Sequence, residues 1–237
     1  ASILNDIPTK ELAFDIFTKI EDNYIKDFFN EEYGTLIDSI YDDNSQNITF
    51  PLYAYMGAYT SFGYSLFYKK INQIATFINQ NYVHPMGIRV MPLYDKNRNN
   101  ESVHHSWYPH WDIYAMKLLR KGFMIGKDRY RTTSAILHYL NLTERMWEGY
   151  KAVMELLELD TADYMEGWKQ HGQAWNCNCA TGIFRTIIES AAGIITDFGN
   201  IRILPDGCSN VNISNLTVRK GRWAVSSFGT EEFSYIV

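Results

Sequence analysis

A mainly α-helical chain closing on a small antiparallel β tail is what this 237-residue sequence predicts, on three observations. Apolar residues recur at helical spacing through most of the first two-thirds. Two such stretches meet at a short turn near Gly122, the pattern of an αα-hairpin. After Gly199 the pattern changes to short β-branched runs bounded by glycine. The predicted division is residues 1–198 as a helical-hairpin domain and 199–237 as a β-strand tail or cap.

In chain order, Thr9 is read as the cap of a first helix that turns Leu12, Ile16, Phe17, Ile20, Tyr24 and Phe28 to one face. Residues 42–46 are a polar loop, and Pro51 suits the first turn of a second helix carrying Leu52, Met56, Phe62, Leu66, Ile74 and Ile78. Gly57 and Gly63 within it signal close packing or a break. Residues 82–107 lack a period and read as a long functional loop. Pro109 opens a helix ending at Gly122, and a partner helix covers 127–140. Further helices are expected over 150–157 and 180–195. Strands are expected at 201–204, 211–218, 222–227 and 233–237.

Composition narrows the function classes. With 46% hydrophobic and 15% aromatic residues the chain can bury a core. Lys and Arg are scattered and the net charge is -5, which argues against a nucleic-acid partner. No apolar run approaches the roughly 18 residues of a membrane span. Cys177, Cys179 and Cys208 match no zinc spacing, and no metal or cofactor is expected. No signal peptide is visible at the N-terminus, whereas Asn-x-Ser/Thr sequons begin at Asn47, Asn100, Asn141, Asn212 and Asn215. The compartment stays open, with the sequons tilting it toward an extracytoplasmic one.

Phosphate-binding glycine loops, a nucleophile elbow and an activated cysteine are absent from the sequence, which leaves acid-base work by carboxylates. Three clusters mix rings with polar groups: residues 101–112, holding Glu101, His104, His105, Trp107, His110, Trp111 and Asp112; residues 143–150, holding Glu144, Trp147, Glu148 and Tyr150; and residues 168–176, holding His171 and Trp175. Aromatic faces stack on the apolar faces of sugars while carboxylates, amides and imidazoles bind hydroxyls. A carboxylate ringed by tryptophan also has its pKa raised. The alternatives are structural: Trp111 and Trp147 as core residues, Asp112 as a cap, Glu144 serving a helix dipole, His171 as a satisfied imidazole.

In order, Thr143-Glu144-Arg145-Met146-Trp147-Glu148-Gly149-Tyr150, His171 with Trp175-Asn176, the run from Gly182 to Glu189, Ala192-Gly193-Ile194 and Ile201-Arg202-Ile203-Leu204-Pro205 resemble the C-terminal half of six-hairpin (α/α)6-toroid glycoside hydrolases, the α-L-rhamnosidase-like group most closely. The resemblance spans residues 80–225. It implies a partial toroid of αα-hairpins and an inverting glycosidase in which Glu148 is the general base on water. It further implies that Trp107, His110, Trp111, Asp112, Trp147, Tyr150, His171 and Trp175 form the sugar pocket. The implied partner is an oligosaccharide or glycoside, together with the N-terminal half of the toroid.

The family's general-acid motif has no match here; Glu101, Asp112 and Glu144 are the local stand-ins for a second carboxyl at roughly 6.5–9.5 Å. The chain is also shorter than twelve helices need, which makes a fragment or a shortened homologue the expectation. The competing reading is a non-catalytic helical carbohydrate-binding or scaffold module. A third is a lyase using His and Tyr.

Overall fold

A computed structural model describes residues 6–47, 50–59, 66–92, 106–159, 169–174, 176–197, 200–203, 210–218, 221–228 and 233–236. The fold is mainly α, with short antiparallel strand groups between the helices and an antiparallel tail.

Helix α1 (Ile7–Phe28) starts one turn before the predicted cap: Asp6 is the N-cap, and its carboxylate accepts from the Thr9 amide at 3.1 Å. Its last turns reach the core. Tyr24 meets Phe28 and Phe67, whereas Leu12, Ile16 and Ile20, expected on the inner face, are exposed. Strands β1 (Phe29–Asn30) and β2 (Thr35–Leu36) form a tight antiparallel pair. The predicted second helix is divided into a 3-10 turn (Leu52–Tyr55), α2 (Met56–Tyr59) and α3 (Ile71–Asn81). A turn closed by the Lys70 amide on the Phe67 carbonyl precedes α3. Gly63 lies outside the described residues.

The loop expected over 82–107 holds β3 (Val83–His84), β4 (Gly87–Ile88) and β5 (Ser106–Trp107). A 3-10 turn (Pro109–Trp111) then leads into α4 (Asp112–Ile125), and three residues later α5 (Arg129–Tyr150) begins. This is the predicted αα-hairpin. Gly122 does not end α4, however; it lies inside the helix, where a Cβ would stand 2.3 Å from Ala75 Cβ and 2.6 Å from the Ile71 carbonyl of α3. The glycine is there for helix approach, and Gly126 is the cap. Helix α4 is buried on nearly every side, packed by α2, α3, α5 and α6.

Helix α5 continues ten residues beyond its predicted end and stops at Lys151, whose φ of 51° and amide bond to the Trp147 carbonyl close the last turn. The helix expected over 150–157 is instead strand β6 (Met154–Glu158), central in a three-stranded sheet between β5 and β7 (Lys169–Ala174). Its residues are good helix formers, but burying Met154 and Leu157 in a paired strand overrides propensity.

Asn176 caps α6 (Cys177–Thr186), its side chain accepting from the Asn178 and Cys179 amides at 3.0 Å each. A π-turn (Ile187–Ala191) follows, and Gly193 at φ 68° turns the chain into β8 (Ile194–Asp197), so the predicted helix over 180–195 ends early. Strand β8 pairs with β9 (Asn200–Ile203). The tail is an antiparallel meander of β10 (Asn210–Val218), β11 (Gly221–Phe228) and β12 (Phe233–Ile236), close to the predicted bounds. Among the described residues no helix is long and apolar enough to cross a membrane.

Candidate functional site

Parts of two of the three sequence clusters meet on one sheet, and the third ends the helix that leads into its central strand. Trp107 on β5 pairs with Leu157 of β6, which in turn pairs with Gln170 of β7; His171 on β7 stands opposite Leu156. Strand β6 begins four residues after Tyr150, the end of the helix that carries Glu144, Trp147 and Glu148. The Asn176 amide donates to the Val153 carbonyl at 3.2 Å and ties the start of α6 to the same place. Trp175, Trp168, Glu101, His104 and His105 lie outside the described residues.

A groove of about 610 Å³ opens between the end of α5, the turn into β6, and α6. Thr143, Glu144, Met146 and Trp147 line one wall, and Ile183, Phe184 and Ile187 the other. Trp147 is 50% exposed and Phe184 65%, so two rings stand open to solvent beside a carboxylate. Glu148, next to Trp147, is exposed on the last turn of α5. Glu144 precedes it by one turn, a spacing that puts two side chains on neighbouring positions of one helix face. Tyr150 is partly buried against the core, and burial raises its phenol pKa.

Trp107 and Asp112, expected at the sugar, are instead fully buried. The indole N–H donates to Asp112 Oδ2 at 2.8 Å, while Asp112 Oδ1 and the Tyr139 hydroxyl are buried without a well-formed hydrogen bond. Desolvation holds the Asp112 carboxyl well above the usual carboxylate range, against the lowering by Trp107 and Tyr139. Desolvation first, then the neighbouring Asp112 carboxylate, also pushes the Tyr139 phenol up. The physical reason for the placement is position: Asp112 begins α4, the helix buried on nearly every side. The pair therefore anchors β5 to α4 beneath the surface.

His110 and Trp111 occupy the 3-10 turn. Nδ1 of His110 lies 3.2 Å from the Asn178 carbonyl, which can only accept, so that nitrogen carries the proton. Trp111 is partly buried edge-on between Tyr53, at 5.4 Å, and Tyr108, at 5.0 Å. Burial, with Asp38 secondarily, raises Tyr53; burial, then Cys179 and Glu155, raises Tyr108. Gly182 permits α6 to sit on this turn, since a Cβ there would be 2.7 Å from the Pro109 carbonyl. Helix α6 thus shares its two faces between the Trp111 cluster and the Trp147 groove.

Phe184 and Tyr53 were not singled out by sequence as site residues. Phe184 reads as one more apolar residue of a helix, and its exposure depends on which face of α6 meets the 3-10 turn. Of the cysteines, Cys177 is an exposed thiol; Cys179 is buried, and desolvation pushes its thiol up to about 12. Among the described residues no group of three His, Cys, Asp or Glu is arranged to hold a metal ion.

The fold and groove define a mainly α domain with a carboxylate-bearing aromatic groove at a helix end. No protein-family model and no curated protein matches the chain.

Proposed function

We propose that this chain acts on carbohydrate, as a glycoside hydrolase of the inverting type or the base-bearing part of one, with the Trp147 groove as its sugar site. The observation that carries the reading is the groove itself: Trp147 and Glu144 at the end of α5 line one wall and Phe184 of α6 the other, with Glu148 exposed beside Trp147 on the same helix turn. In this reading Trp147 stacks on a sugar face, Glu148 takes the proton of the attacking water, and Glu144 on the groove wall is the nearest second carboxyl. The order of the motifs in six-hairpin glycosidases supports the same assignment of Glu148.

The test is hydrolysis of a panel of aryl glycosides and oligosaccharides, with the product anomer followed by NMR. Glu148→Gln should lower kcat by a factor of roughly 10²–10⁴ with far-UV circular dichroism unchanged. Undiminished turnover in that variant removes Glu148 from the chemistry.

A second reading, a non-catalytic carbohydrate-binding module, is favoured by the mainly apolar groove lining and the exposure of both carboxylates. It predicts that oligosaccharides change Trp147 fluorescence while no member of the panel is turned over.

A further inference from the structure

A second cavity, of about 410 Å³, shares no lining residue with the Trp147 groove. It lies where the end of α3 and the β3–β4 hairpin meet the first three turns of α5. Its polar lining is Asn79, His84, Tyr130, Arg131, Ser134 and His138, and no carboxylate is among the lining residues. Arg131, Ser134 and His138 follow one another at helical spacing, which turns them to one face of α5.

The hydrogen bonds fix what these groups offer. Nε2 of His138 stands 2.8 Å from the His84 carbonyl and must donate to it, so Nδ1 is the ring nitrogen left for a ligand. The Met86 amide donates to His84 Nδ1 at 3.1 Å, which puts the proton of that ring on Nε2. Asp128, the N-cap of α5, does two things to Arg131. One oxygen caps α5 through the Arg131 amide at 3.0 Å, and the other pairs with Arg131 Nε at 3.1 Å. That contact engages the inner nitrogen of the guanidinium and orients the group, leaving the two terminal nitrogens as a planar fork.

We propose that this pocket binds a small molecule through an oxyanion, a carboxylate or a phosphate seated on the Arg131 fork, with its hydroxyls meeting Ser134, Asn79 and His138. A fork of two parallel N–H donors matches two oxygens of either anion, and the size of the cavity suits a ligand of sugar or nucleotide-fragment dimensions. The proposal does not depend on the function assigned to the Trp147 groove.

Isothermal titration of the full chain with inorganic phosphate, glucuronate and glucose tests it. At least one of the two anions should bind, and the tighter of them identifies the source of the oxyanion; glucose should bind at least tenfold more weakly than that anion. Arg131→Gln should lose the binding by roughly tenfold or more, and Arg131→Lys, which keeps the charge without the fork, should fall between. Arg131 is 54% exposed, so both variants should fold, as circular dichroism will verify. Absence of binding by both anions, glucose binding as tightly as the tighter anion, or affinity unchanged in Arg131→Gln each overturns the proposal.

Discussion

Replacing Asp112 by Asn tests the central packing of this fold in a way that pH can read. The native carboxyl is fully buried, accepts one hydrogen bond from the Trp107 indole, and desolvation holds its pKa well above the usual carboxylate range. In the unfolded chain the same group ionises above about pH 3.9. Between that value and the raised native pKa the folded state holds one proton more than the unfolded state. Stability then falls as pH rises across that window, by about 1.4 kcal/mol per pH unit. The contribution is whole below the unfolded pKa and is lost as pH climbs toward the folded one. Asparagine keeps an acceptor for Trp107 and removes the titration. Urea unfolding at a series of pH values should therefore give Asp112→Asn a stability that gains on the wild type as pH rises. Other carboxylates contribute their slopes to both proteins and cancel in the difference. Parallel pH profiles would refute the claim that burial raises the Asp112 pKa. Asp112→Ala provides the contrast: it removes the acceptor 2.8 Å from the buried indole nitrogen and should cost about 1–3 kcal/mol even at low pH.

Gly122→Ala should push α3 and α4 apart, because its Cβ would overlap Ala75 and the Ile71 carbonyl; thermal unfolding should show a loss of about 1–3 kcal/mol. Glu189→Gln should cost about 3–5 kcal/mol, since this buried carboxylate pairs with both the Lys117 ammonium at 3.0 Å and the Arg185 guanidinium at 2.8 Å; adding Lys117→Met should recover part of that loss in a double-mutant cycle. Thiol labelling followed by peptide mapping should modify exposed Cys177 much faster than buried Cys179, whose thiol is pushed up to about 12; equal rates would contradict the packing of α6.

The helical periods and the β tail were legible because each is a local property of the chain. Gly122 shows where local reading stops. By sequence it is a helix end, and only the approach of Ala75 and Ile71 from another helix explains it as an interior contact. Residues 154–158 read as helix on propensity and became a strand because β5 and β7 pair with them from 48 and 15 residues away, counting Ser106 to Met154 and Met154 to Lys169. The clustering of rings and polar groups was legible as well, but not its division between inside and outside. Trp107 and Trp147 look alike in the sequence; one ends in the core with a carboxylate partner and the other opens on a groove. That difference is set by which face of α5 and which edge of the sheet meet α4, and no single segment encodes it.

The two readings of the groove separate at its carboxylates rather than at its rings. Trp147→Ala removes a half-exposed ring, should leave stability nearly unchanged, and should weaken sugar binding by about 1 kcal/mol whether the site cleaves or only binds. Glu148 discriminates, because a base is needed only for turnover. A binding module loses little affinity on Glu148→Gln, whereas a hydrolase keeps its affinity and loses its rate. Glu144 adds the remaining distinction. It lies on the groove wall one turn before Glu148, so if it is the second carboxyl, Glu144→Gln should depress turnover most for substrates with poor leaving groups, which depend on proton donation. Equal losses for good and poor leaving groups would leave Glu144 as a wall residue and require the acid to come from elsewhere.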